Sequence, residues 1–314
     1  MEVISMPMWA WILFYALVIV MLYADLKLFG RKGQHEVSIK EALQMTCVWI
    51  AVSLIFCAGI GHFENGDKAM EFLAGYLIEK SLSMDNLFVF LMLFSFFGVQ
   101  RKYQHEVLFW GIFGALILRS IFIFAGAAMV QRFEWILAIF GVFLIYTGIK
   151  MFGHQEESVD PSKNIFVKLF KKFFPVTDQM HEDKFFIIEN GKRLATPLFI
   201  ALLVIETTDV AFAVDSIPAV FSVSRDPFIV LTSNIFAILG LRALYFALAA
   251  IAQYFQYLKY GLGIILSFVG VKMLLEVFWH IKVDTPISLL IIFGVLVLSM
   301  LASYVATLYS RRRQ

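Results

Sequence analysis

Cysteine is nearly missing from this 314-residue chain: Cys47 and Cys57 are the two present, and both lie on one apolar stretch with no CxxC spacing. That argues against a disulfide framework and a thiolate metal site, and leaves both as packing residues. Histidine is sparse as well. His35, His62, His105, His154, His181 and His280 fall in polar connections or at the ends of apolar segments, which argues against a histidine-rich zinc site at membrane depth. Charged residues make up 16% of the chain and leave a net charge of +2, a sum that says little about partners because the distribution of charge among the loops matters more. No nucleic-acid partner is expected. What fills the space is apolar: 61% of the residues are hydrophobic, far above the roughly 45 to 50% of a soluble domain. The chain reads as an all-α, polytopic membrane protein whose first partner is the lipid bilayer.

Trp9 to Leu26 is long enough to span and runs into Asp25-Leu26-Lys27 rather than a small-residue cleavage site, so it reads as an uncleaved first helix. Further spans are expected at 42–61, 69–97, 106–130, 134–151, 196–221, 227–253, 259–279 and 287–308, about nine in all. Thr196-Pro197 opens the sixth, with threonine able to cap and proline tolerated at the first helical position. Lysine and arginine gather in the connections on one side, from Arg31 and Lys32 through Arg101 and Lys102 to Arg311–Arg313. By the positive-inside rule the N-terminus lies outside and the C-terminus in the cytoplasm, across the inner membrane of the cell.

The one long connection, 153–195, is charged and cytoplasmic in this reading. Lys163 to Phe174 sets Ile165, Phe166, Leu169, Phe170, Phe173 and Phe174 at helical spacing against four lysines, the pattern of a helix on an anionic membrane surface, with a plain tether as the alternative. Phe185–Ile188 followed by Glu189-Asn190-Gly191-Lys192 reads as a small hairpin.

Residues 69–152 and 196–280 match in order. Asp85-x-x-Phe88 lies over Asp209-x-x-Phe212, Leu118-Arg119 over Leu241-Arg242, Gly141 over Gly263, and Gly148-Ile149-Lys150-Met151 over Gly270-Val271-Lys272-Met273, with an offset that drifts only from 124 to 122. A repeat of three spans reverses direction each time it recurs. The halves then form an inverted repeat with a substrate site near the midplane between them, where Asp85 and Asp209 face each other. The expected division is 1–68 for two N-terminal helices, 69–152 and 196–280 for the repeats, 153–195 for the connection, and 281–314 for the last helix and its basic tail.

Charges inside these apolar runs are expensive and are kept for function. Glu79, Asp85, Glu206, Asp209 and Asp215 face two mid-span cations, Arg119 and Arg242, which leaves a surplus of negative charge. A salt-bridge network is the structural alternative; a bound cation is the simplest neutraliser. On a regular helix Glu79, Ser83 and Asn86 share one face and Asp85 points elsewhere, while Glu206 and Asp209 sit together and Asp215 apart. Either the acids face separate partners, or the helices are broken, with Pro218 freeing backbone carbonyls beside Asp215. The candidate ligands are Glu79, Asp85, Asn86, Glu206, Asp209 and Asp215, with Ser83, Thr208 and Ser216 as secondary ones. They are hard oxygen donors, suited to manganese, magnesium or calcium. Arg119 and Arg242 are the expected counter-ions, pairing with the acids when no metal is bound. Five carboxylates around two arginines cannot all stay ionised once the metal leaves, so proton exchange is expected in the cycle.

At Glu79-Lys80-Ser81-Leu82-Ser83-Met84-Asp85-Asn86, Glu206-Thr207-Thr208-Asp209, Phe212 to Ala219, and Asp226 to Asn234 running on to Leu241-Arg242, the chain resembles the TerC family of integral membrane proteins, most closely its Alx branch of manganese exporters. The resemblance implies export of manganese(II) from the cytosol as transported substrate, with no permanently bound cofactor and no enzymatic step. It also implies that the five acids line the path. A membrane scaffold or metal-loading partner for exported proteins, linked to tellurium resistance, is the alternative. A homo-oligomer is left open.

Overall fold

A computed structural model describes residues 6–30, 38–133, 135–153, 164–177, 179, 181–189, 191–251 and 257–311. His35, His154, Lys163 and the arginines at 312 and 313 lie outside the described residues, as does the side chain of Asp85. The chain is helical nearly throughout: α1 (Met8–Gly30), α2 (Ile39–Phe63), α3 (Gly66–Phe96), α4 (Arg101–Arg132), α5 (Ile136–Lys150), α6 (Ile165–Phe173), a hairpin of β1 (Phe186–Glu189) and β2 (Lys192–Ala195), then α7 (Pro197–Phe221), α8 (Pro227–Leu239), α9 (Leu241–Ile251), α10 (Leu258–Trp279) and α11 (Thr285–Arg311).

Local chemistry starts these helices where it should. Asn65 Oδ1 accepts from the Lys68 N–H at 2.8 Å to open α3, and Asp226 Oδ1 accepts from the Phe228 N–H at 3.0 Å ahead of Pro227 to open α8. Thr196 departs from expectation. Its hydroxyl does not cap α7 but donates to the Lys184 carbonyl at 2.7 Å, tying the hairpin to the foot of the helix. In the hairpin, Phe186 pairs with Ala195 and Glu189 with Lys192, and Gly191 takes the left-handed φ of 73° that the tight turn demands.

Six helices, α1, α2, α4, α7, α10 and α11, are long and apolar enough to cross a membrane, and the pair α8 and α9, bent by 42° at Gly240, brings the number to as many as seven. Two more helices occupy the places of the expected third and fifth spans. α3 has 31 residues but carries too much charge to count by hydropathy, and α5 is apolar but only 15 residues long. Large apolar side chains stand exposed along α1, α2 and α11, such as Ile19, Ile55 and Leu290, as lipid-facing helices require.

α3 lies at the centre, packed on α2, α7, α8 and α11. It runs parallel to α8, since Gly75 meets Ser233 and Lys80 reaches Ala237. α4 runs parallel to α7, with Gly111 on Ile205 and Gly126 on Phe221. α5 and α10 cross antiparallel at very short range. A methyl group on Gly148 would come within 2.6 Å of the Gly263 carbonyl oxygen, and one on Gly263 within 2.8 Å of that of Gly148; Gly141 and Gly270 block each other in the same way. Only glycine admits backbones this close.

Pro218 does not break α7. The helix continues through it to Phe221, because Pro218 sits in the last turn, where little helix remains to be deflected. The expectation of a broken helix beside Asp215 is therefore corrected: α7 stays helical through to Phe221, although Pro218, which has no N–H, still leaves the Val214 carbonyl without its helical donor.

Candidate functional site

The parallel pairs α3/α8 and α4/α7 bring polar groups from four helices to one point in the interior. Arg119 on α4, fully buried, is the centre. Its Nε donates to Asp209 Oδ2 at 3.1 Å and its Nη2 to Asp209 Oδ1 at 2.9 Å, the two-pronged geometry a guanidinium offers a carboxylate. Its Nη1 donates to Glu79 Oε1 on α3, to Asn234 Oδ1 on α8 at 3.1 Å and to Ser216 Oγ on α7 at 3.3 Å. Glu79 is held from its other sides: Asn234 Nδ2 donates to Oε2 at 2.9 Å and Ser83 Oγ to Oε1 at 3.2 Å. Each of these groups is 4% exposed or less, so the network is shielded from bulk solvent. One cation thus holds two carboxylates at a desolvated position, an arrangement that costs several kcal/mol to leave half-assembled.

The other predicted ligands lie in separate surroundings. Glu206, one turn before Asp209, presses its carboxylate onto Gly114 of α4, where a Cβ would overlap it, and its Oε2 is buried without a hydrogen-bond partner among the described residues. Asp215 accepts from Thr147 Oγ1 at 3.3 Å and, with buried Asn86, faces a cavity of about 490 Å³. Leu82, Phe212 and Leu266 give that cavity an apolar body, and Lys150 and Lys259 belong to its wall. Thr208 spends its hydroxyl on the Val204 carbonyl of its own helix at 2.7 Å, and Met84 packs against the core. Among the described residues no three histidine, cysteine or acidic side chains converge as a metal cluster. Of the two arrangements open from sequence, the helices take the regular one: Glu79 and Asp209 meet at Arg119, while Asn86 and Asp215 meet at the cavity.

Arg242, expected as a second counter-ion to these acids, pairs instead with Asp25 of α1, Nη2 to Oδ2 at 3.0 Å. Asp25 is one of several buried charged side chains to which sequence reasoning gave no role. Lys80, next to Glu79, is buried and donates to the Ala237 carbonyl at 3.0 Å, just before the bend at Gly240. Lys272 is buried too and donates to Ser288 Oγ at 3.0 Å. These two cations shrink the acid surplus that was expected from five carboxylates and two arginines. Asn234 was visible as part of a motif, but its clamp on Glu79 and Arg119 was not assigned. A polar amide in the middle of an apolar helix was the signal available.

A model described as "Integral membrane protein TerC family" matches residues 64–313. "Uncharacterized membrane protein STKORF319" of Myxococcus xanthus is 48% identical over 295 residues, which cover 94% of this chain and 92% of that protein. "Putative membrane-bound redox modulator Alx" of Escherichia coli (strain K12) is 46% identical over 310 residues, 96% of this chain and 95% of its own. "Uncharacterized membrane protein" of Rickettsia bellii is 40% identical over 296 residues, 94% of this chain and 97% of its own. No solved structure matches the chain.

Proposed function

Because the chain belongs to the TerC family of integral membrane proteins, we propose that it is a transporter of divalent metal cations, with manganese(II) exported from the cytosol as its cargo. The observation that carries this reading is the Arg119 network. A buried guanidinium stands where Glu79, Asp209, Asn234 and Ser216 all point oxygen atoms. Once Arg119 withdraws, the same oxygens form a hard donor set for a divalent cation. The arginine is then a resident competitor: it stabilises the empty site and is displaced by the ion. Asn86 and Asp215 act earlier, at the cavity, as the first oxygens an entering cation meets.

In this reading nine spans cross the inner membrane, with α3, α5 and the bent pair α8/α9 counted among them. The cavity, beside the α5 end that carries Lys150, opens to the cytosol. The inverted repeat draws support from the reciprocal glycines. Gly141 matches Gly263 in sequence and Gly148 matches Gly270, yet Gly141 touches Gly270 and Gly148 touches Gly263, the exchange that a two-fold relation produces. Glu206, with its partnerless oxygen, is the proton carrier of the proposed antiport. An intramolecular disulfide does not supply the redox effect in the Alx relatives' name here: Cys47 and Cys57 are ten residues apart on α2, about 15 Å along its axis, too far to bridge. Export of a redox-active ion is the route this reading offers.

The test is manganese uptake by inside-out vesicles carrying wild-type, Asp209→Asn or Asp85→Asn protein at matched amounts. Loss of uptake in both variants is expected. Uptake equal to wild type in both removes these carboxylates from the path and with them the reading.

A further inference from the structure

α6 plays no part in the network above, yet it is built against the segment that carries Glu206. Asn164 at its start caps the helix, its Oδ1 accepting from the N–H groups of Phe166 and Val167 at 2.9 and 3.2 Å. The same side chain sends Nδ2 to Thr207 Oγ1 on α7 at 2.8 Å. Six residues later the Phe170 ring meets Phe199, centroids 5.0 Å apart. Phe174 and Phe199 both pack on Phe186 of the hairpin, at 5.8 and 4.6 Å. α6 therefore runs back along α7 from Thr207 to Phe199, about 12 Å of that helix axis, with the hairpin as its clasp.

The rest of its surface is sorted by chemistry. At about 100° per residue, Val167 and Phe170 point to α7, and Val167 is 4% exposed. One flank carries Ile165, Phe166, Leu169 and Phe173, exposed by 72, 55, 54 and 76%. The opposite flank carries Lys168, Lys171 and Lys172, all exposed. A nine-residue helix has no independent stability in water, so this one needs a second surface besides α7. Apolar on one side and basic on the other, beside a lipid-facing bundle, it complements an anionic bilayer surface.

We propose that α6 is seated in the anionic lipid leaflet, its apolar flank among the acyl chains and its lysines at the phosphates, and that the Asn164–Thr207 contact passes the state of that seat to Glu206. Anionic phospholipid is thus a regulatory partner of the chain. The coupling half rests on the Asn164–Thr207 hydrogen bond beside Glu206 and on the place of that residue in the path proposed above, not on its titration; the seating half needs neither.

The experiment uses the full chain in nanodiscs of phosphatidylcholine alone or with phosphatidylglycerol. Two readouts are followed: amide hydrogen exchange over residues 165–173, and the rate at which a water-soluble carbodiimide modifies Glu206, read by mass spectrometry. Phosphatidylglycerol should slow α6 exchange by about tenfold or more, and the triple variant Lys168→Gln, Lys171→Gln, Lys172→Gln should lose most of that effect. Glu206 modification should follow lipid composition in the wild type, and Asn164→Ala should abolish that response while α6 stays protected. Exchange equal in both lipids, or a triple variant that responds like the wild type, overturns the seating. Glu206 labelling indifferent to lipid overturns the coupling. Neither readout involves metal movement, so failure here is separable from failure of the transport reading.

Discussion

Two buried arginines, Arg119 and Arg242, each follow a leucine in stretches that align in sequence, and their surroundings differ in kind. Arg119 gathers side chains from α3, α7 and α8, all of them far inside the bundle. Arg242 stands just past the bend at Gly240 and pairs with Asp25 near the end of α1. The first network lies wholly within the stretch matched by the family model, whereas Asp25 lies before it. The same residue type therefore meets two kinds of surroundings: Arg119 is held among carboxylate and amide oxygens of three helices, the set proposed above to take a cation, and Arg242 fastens a peripheral helix through Asp25.

The comparison breaks most readily at the arginines themselves. Arg119→Gln should cost about 3 to 5 kcal/mol, since it strands Glu79 and Asp209 together without a cation, and manganese should restore much of the loss as a raised unfolding temperature in detergent. Arg242→Gln should be destabilised as well but gain no more from the metal than the wild type does, since its proposed cation site is intact. Equal rescue of both variants would erase the distinction. A smaller effect is expected at the acids. Glu79→Gln should reduce transport by about tenfold or more, while Asp25→Asn, compared at equal amounts of folded protein in vesicles, should keep it within about threefold of wild type. Transport lost in both would make Asp25 a member of the path. The smallest effect belongs to the cavity wall. Lys259→Gln should raise the apparent cation affinity by about two- to threefold at low ionic strength and by nothing measurable in high salt, because a partly exposed charge acts through a screened field. Titrating initial uptake rates at the two salt levels checks it.

Much of this was legible in the residues because a charge in an apolar run has few innocent explanations. Glu79, Asp209 and Arg119 announced themselves that way, and the helices begin close to where caps and apolar runs placed them. Asp25 did not, since a carboxylate at the end of an apolar segment ordinarily meets water at the interface, and its partner is 217 residues away. Lys80 was overshadowed by the acid beside it; nothing local shows that its ammonium turns to a carbonyl on α8. Asn234 was readable as polar but not as a clamp, because its two partners come from α3 and α4. Pro218 misled for a different reason. Its chemistry is as expected, but its effect depends on how much helix follows it. Long-range pairing and distance to a helix end are properties of the fold, and single-residue signals do not carry them.

α3 also has something to say about how the protein is made. It carries Glu79, Lys80 and Asp85 in its middle, and each ionised side chain opposes insertion of a lone helix by about 2.5 to 3.5 kcal/mol. Its first electrostatic partner is synthesised soon after it: Arg119 stands 40 residues on, in the very next helix, whereas Asp209 comes 90 residues after Arg119. α3 and α4 are therefore expected to leave the translocon as a hairpin already joined through Glu79 and Arg119, with Asp209 arriving later to complete the set. A nascent chain stopped after α3 should slip out of the membrane in a glycosylation-mapping assay, and one stopped after α4 should stay. Stable insertion of α3 alone would show that the hairpin is not needed.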